Sequence, residues 1–162
     1  SRIKDIRSGE QAFKQKKARY SGSFDTLKYF VRNDSLPIER TIGDVDDSVA
    51  VAQGLVKKEI VMVPAIETVF GRKVTRDEVN QLPNIPHSDG KKFILAAGML
   101  TTESGVIVPV FEAKAPYKSF LADLDEQELV NLIDEEKNTL GRYPGIKVGS
   151  LEQATNDAGN WE

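Results

Sequence analysis

Cysteine is absent from these 162 residues and histidine occurs once, as His87. The first absence removes disulfides, thiolate zinc sites, iron–sulfur clusters and cysteine nucleophiles. The second removes any two-histidine metal site within one chain and leaves a serine–histidine triad only His87 to use. No apolar run reaches the roughly 18 residues of a membrane span. Nor is there the charged-then-apolar pattern of a secretory signal. Tryptophan is also scarce, with Trp161 alone next to the last residue.

What is present reads as a folded, water-facing domain. Hydrophobic residues make up 40% of the chain and charged residues 29%, a balance of neither disordered nor membrane-embedded segments. A chain of this length buries about 70% of its unfolded surface and needs no staples. The net charge of -3 argues against a nucleic-acid partner. The charge is unevenly spread. Seven basic residues against Asp5 and Glu10 give Arg2 to Arg19 a local +5, and ten acidic residues against three basic ones give Ser119 to Glu162 a local -7. Two solvated helix faces account for this, as does a basic stem beside an anionic membrane with an acidic distal head.

Periodicity predicts a helix over Arg2 to Arg19, with Ile3, Ile6, Phe13 and Tyr20 on one narrow side and Gly9 marking a close approach. Ser23 is placed to cap a second helix from Phe24 to Arg32. Leu36 to Ile42 reads as an edge strand because Pro37 cannot donate to a ladder. A short helix over Asp44 to Leu55, a strand over Glu59 to Val63, and a turn or two of helix over Ala65 to Phe70 closed by Gly71 follow. Val74 to Lys91 reads as a loop with a helical turn at Arg76 to Gln81. The clearest pattern is a hairpin, Lys92 to Thr102 and Val106 to Ala115, joined by Glu103-Ser104-Gly105. Both its faces are apolar, which predicts a central position in one sheet. Asp125 is placed to cap an acidic helix that Gly141 ends, and Ile146 to Val148 reads as a last strand. The expected fold is α+β, one domain over residues 1–162. A basic stem helix (1–20) packs on a central antiparallel sheet, and an acidic helix flanks the head (21–162).

Chemistry is mostly excluded by spacing. Asp44, Asp46 and Asp47 suggest a calcium loop. In the EF-hand frame, however, the sixth position is Val49 where glycine is needed and the twelfth is Leu55 where glutamate is needed. Gly141-Arg142-Tyr143-Pro144-Gly145 lacks the Gly-Lys-Ser/Thr ending of a phosphate loop, and Gly71-Arg72-Lys73 lacks its strand–glycine–helix setting. His87, Ser88 and Asp89 are neighbours in sequence, which is not how a triad is built. Asp134, Glu135 and Glu136 form a solvated helical run rather than a glycosidase pair. Lys14 to Arg19 lacks the interleaved aromatics of a single-strand nucleic-acid binder. No catalytic, cofactor or metal residue is assigned. Trp161 is expected to dock in a groove, either pinning the tail to the core or offering a partner an aromatic contact.

Ile6 to Tyr20 followed by Ser23-Phe24-Asp25-Thr26-Leu27 resembles the stem layout of type IV pilins and pseudopilins, with Ala18 where glycine is usual and Ser21 where proline is usual. The whole chain resembles an uncharacterised family of membrane-anchored bacterial envelope proteins. That likeness rests on Ser23-Phe24-Asp25-Thr26-Leu27, on Val110-Phe111-Glu112-Ala113-Lys114-Ala115, and on Tyr143-Pro144-Gly145-Ile146-Lys147-Val148-Gly149-Ser150. It rests also on the Ala158-Gly159-Asn160-Trp161-Glu162 ending. The resemblance implies placement alone: an extracytoplasmic domain excised from a precursor with an N-terminal membrane helix. The leading reading of its function is a non-enzymatic, membrane-tethered envelope domain with a structural or protein-interaction role, pilin-like in one version, its protein partner unknown. A soluble module binding a peptide or glycan near the sheet edge or Trp161 is the alternative. A hydrolase using carboxylates alone is a third reading.

Overall fold

The computed structural model describes residues 2–42, 57–119 and 125–162, with residues 52, 54 and 121 between them. The Asp44–Leu55 helix and the aspartates of the calcium frame lie outside the described residues, residues 52 and 54 apart.

Helix α1 (Arg2–Lys17) packs on the sheet through β4, as the sequence leads one to expect. It buries Ile3, Ile6, Gly9, Glu10, Ala12 and Phe13, a stripe at helical spacing, and lies in the middle of the molecule. Ala18 ends it at a φ of 61°, the left-handed position of a helix stop, with its N–H on Lys14 O. Helix α2 (Phe24–Asn33) starts where expected, with Ser23 Oγ accepting from Thr26 N. It presents Leu27, Phe30 and Val31 to the core, and Phe30 meets the Phe13 ring edge-on at 5.2 Å. A Cβ at Gly9 would lie 3.6 Å from Leu27, so the two helices approach to ordinary contact.

The single central sheet is replaced by two sheets. Strands β1 (Ser35–Ile42) and β2 (Lys57–Pro64) form an antiparallel ribbon of their own, so Pro37 does sit on an edge. The proximal end is anchored by buried Leu36, and distally Arg40 pairs with Glu59 and Lys58 with Glu39 across the ribbon. Helix α3 (Ala65–Phe70), ended by Gly71, and the short α4 (Arg76–Asn80), capped by Thr75, complete the layer of helices.

The second sheet has the order β3-β4-β5, all antiparallel: β3 (Ile94–Thr101), β4 (Ile107–Pro116) and β5 (Gly145–Gly149). The hairpin turn carries Gly105 at a φ of 84°. Its central placement holds for β4 alone. Phe111, Ala113 and Ala115 are buried beneath α1, whereas β3 is an edge strand and Met99, Val106 and Ile107 at the hairpin tip are exposed. Among the described residues nothing packs over that tip. Helix α5 (Glu126–Asp134) is capped by Asp125, whose carboxylate accepts from Glu128 N at 2.8 Å, and runs on into a wider turn, Glu135–Thr139. It buries no side chain fully, and Leu129, Leu132 and Ile133 are half-buried.

Candidate functional site

Strand β5 pairs with β4 only from Glu112 to Pro116. Gly149 then leaves at a φ of 73°, crossing so close that a Cβ there would stand 2.2 Å from Phe111 O. The chain loops outward, with Ser150 Oγ accepting from Glu152 N and Gln153 N. It returns through two left-handed residues, Asn156 and Asp157. Between this loop, the end of α1 and residues Val108–Phe111 of β4 lies a cavity of about 290 Å³.

Alternation along β4 decides what faces it. The odd-numbered residues Ala113 and Ala115 turn their backbone groups toward Val148 and Ile146 of β5. The N–H and C=O of Phe111, and the C=O of Pro109, therefore point the same way beyond the place where β5 has stopped. Pro109 stands at this edge without an N–H to leave unsatisfied. Phe111 is only 1% exposed and Gly149 lies across its carbonyl, so at this edge the half-buried Pro109 borders the cavity while the Phe111 backbone is covered.

The wall is a polar network. Tyr20 Oη donates to Asp157 Oδ2 at 2.9 Å, and Gln11 Nε2 donates to the same oxygen at 3.4 Å. Arg7 donates to Asp157 O and to the Glu162 carboxylate. Burial, then the hydrogen bond to Asp157 and its charge, raises the Tyr20 phenol above its ordinary range, so it stays a donor. Its ring lies 4.8 Å from that of Phe111 and under the Lys14 ammonium at 5.3 Å. Lys14 lines the cavity and has no carboxylate partner among the described residues.

Behind the wall sits Glu10, fully buried, both oxygens accepting from Ser21 N at 3.2 and 3.1 Å. Burial pushes its carboxyl up to about 8, against the pull of the Ser21 N–H, and the Asp157 charge pushes the same way. The carboxyl is therefore mostly neutral at pH 7. It does not line the cavity; as the acceptor for Ser21 N it braces the α1–α2 turn rather than facing a ligand. The sequence did carry a signal for it, since position 10 falls four after Ile6 and three before Phe13, inside the apolar stripe.

The tail completes the arrangement. Gly149 N donates to Ala158 O, Asn160 N donates to Lys147 O, and Gly159 bridges Val148. The Asn160 side chain accepts from Lys147 N and donates to Gly145 O, standing in for a peptide group. The last residues thus act as an added strand on β5.

The residues singled out from sequence fall elsewhere. Trp161 is not docked in a groove. Its ring lies across Gly159, 42% exposed, with the Arg7 guanidinium 5.9 Å from its centre. His87 is exposed at a φ of 60°, and Ser88 Oγ is turned away onto Ile85 O at 2.6 Å, locking the loop. Glu136 forms a two-bond pair with Arg142 at 2.9 and 3.0 Å. Among the described residues no group of three or more acidic, histidine or cysteine side chains could hold a metal ion. No helix of the described residues is long and apolar enough to cross a membrane. No protein-family model, curated protein or solved structure matches this chain.

Proposed function

We propose that this is a non-enzymatic interaction domain of the bacterial envelope, tethered through a segment before α1, and that the cavity beside β4 receives an extended peptide from a partner protein. The observation that carries the reading is the cavity beside β4 at the place where β5 stops pairing and the chain loops outward after Gly149, leaving half-buried Pro109 at its margin. An extended peptide entering there continues, along β4, the strand direction that β5 abandons. The tail is an internal precedent, because Ala158–Asn160 adds to β5 in the same manner. A glycan is a poorer fit: the aromatic residues in the lining, Tyr20 and Phe111, are buried against each other and offer no stacking platform. The unpartnered Lys14 ammonium favours an acidic side chain on the incoming strand. The half-exposed Trp161 offers the same partner an aromatic contact on the neighbouring surface.

The test is titration of the ¹⁵N-labelled domain with a blocked pentapeptide of alternating valine and threonine carrying one glutamate. Saturable shifts at Phe111 and Gly149, lost when alternate peptide nitrogens are methylated, are expected. Equal binding by the methylated peptide, or shifts confined to other surfaces, would refute the groove. The tether is checked separately: an apolar stretch of about 20 residues directly upstream in the gene product is expected. Its absence would end that part of the proposal and leave the groove standing.

A further inference from the structure

A second cavity, of about 260 Å³, lies at the opposite end of the core, where α1 begins. Its walls are Ile3, Ile85, Phe93 and Ile146 over Ala115 of β4, all apolar. At its rim are two side chains of different character, Arg2 and His87. The volume is near the lower end of small-ligand sites, too small for a folded partner's side-chain cluster and large enough for a short acyl chain.

The Arg2 guanidinium is held in place rather than neutralised. Its Nη1 donates to the carbonyls of Gln81 and Asn84, the second at 3.0 Å. Asp5 is close enough to feel its charge, yet no carboxylate among the described residues forms an ion pair with it. A fixed cation, its Nε and Nη2 donors without a partner among the described residues, therefore borders an apolar cavity. His87 is kept at the rim by a loop closed on both sides, with Ile85 N on Lys91 O and Phe93 N on Pro83 O. That loop holds His87 and Asp89 in left-handed conformations that neither residue favours.

We infer that this cavity binds a small monocarboxylic acid with a short apolar chain, the chain among Ile3, Ile85, Phe93 and Ile146 and the carboxylate on Arg2. An apolar hole alone would take any hydrocarbon. The fixed guanidinium is what selects an acid, because its donors match the two carboxylate oxygens. The inference stands apart from the peptide groove and uses none of its residues.

The probe is hexanoate, titrated into the ¹⁵N-labelled domain beside hexanol and acetate. Its roughly eight non-hydrogen atoms, at the affinity per atom usual for small ligands, give a Kd of about 1 mM. Shifts are expected at Ile3, Ile85, Phe93 and Ile146. Hexanol should bind about tenfold more weakly, since it lacks the charge-assisted bonds. From butanoate to hexanoate, affinity should rise about fourfold per methylene. Arg2→Gln should bring hexanoate down to the hexanol value while leaving hexanol unchanged, which also shows the cavity intact. Ile146→Phe, which fills the cavity, should weaken hexanoate. Hexanol binding as tightly as hexanoate in the unmodified protein, no saturable shift, or shifts confined to other surfaces would overturn the inference. Should Arg2→Gln lose both ligands, the comparison of the three probes on the unmodified protein decides.

Discussion

Replacing Glu10 by glutamine should remove most of the dependence of this fold's stability on pH between 5 and 8. The Glu10 carboxyl titrates near 8 in the folded chain and at an ordinary 4.5 once unfolded. Between those values the unfolded chain has released a proton that the folded chain keeps, so stability falls as pH rises, by about 1.4 kcal/mol per unit. The loss is complete above pH 8 and absent below pH 4.5. Integrated over the window, it is roughly 3–5 kcal/mol, a sizeable part of what a domain this size possesses. Glutamine keeps the shape and one acceptor for Ser21 N but cannot ionise. At pH 5 the variant should lie within about 1 kcal/mol of the parent, and at pH 9 it should exceed it by roughly 2–4 kcal/mol. Urea unfolding followed by circular dichroism at pH 5, 6, 7, 8 and 9 measures both curves. Subtraction isolates Glu10, because Asp5, also raised by burial, and Asp34, lowered by its Lys16 hydrogen bond, are unchanged in the variant. A parent curve that is flat or rising from pH 5 to 8, or a variant with the parent's slope, would refute the reasoning.

Gly9→Ala should stabilise the domain by about 1 kcal/mol, because the new methyl meets Leu27 at 3.6 Å without crowding while the helix gains alanine's propensity; thermal unfolding reads the gain, and a lowered Tm would mean that α1 and α2 pack closer than this distance. Ala18→Gly should add about 0.5–1 kcal/mol by relieving the left-handed conformation at the end of α1, measured by urea unfolding at fixed pH. Asn160→Leu removes both side-chain bonds to β5 and should speed amide exchange at Lys147 selectively, leaving β3 protected; unchanged exchange at Lys147 would show that the tail does not seal that edge.

Local chemistry was legible where one or two residues decide an outcome. Ser23 and Asp125 cap the helices they were expected to cap, Gly105 turns the hairpin, and Pro37 lies on an edge. Each depends only on neighbours within four positions. The count of sheets was not legible, because apolar strands look alike whether they pair with one partner set or two. The apolar tip of the hairpin suggested burial, yet β3 ends up outermost, since β5 joins the other side of β4. The candidate groove was hidden for a similar reason. It exists because β5 stops after five residues and Gly149 turns the chain away, a relation between segments about 40 positions apart. Glu10 was half legible: its place in the apolar stripe was readable, but the Ser21 N–H that makes its burial tolerable arrives only when the chain folds back.

The contacts of Arg7 and Tyr20 with Asp157 and Glu162 span 155 and 137 positions of chain. A nascent polypeptide emerging from the ribosome can form α1, α2 and the hairpin early, since those pairings are local. It cannot close the wall of the candidate groove, or seal the outer edge of β5, until Asp157 to Glu162 have been released. The order of synthesis therefore leaves the outer edge of β5 uncovered from the moment Gly149 emerges until Ala158 to Asn160 follow. During that interval the outer edge of β5 is open to any extended segment nearby, before the tail arrives to compete for it.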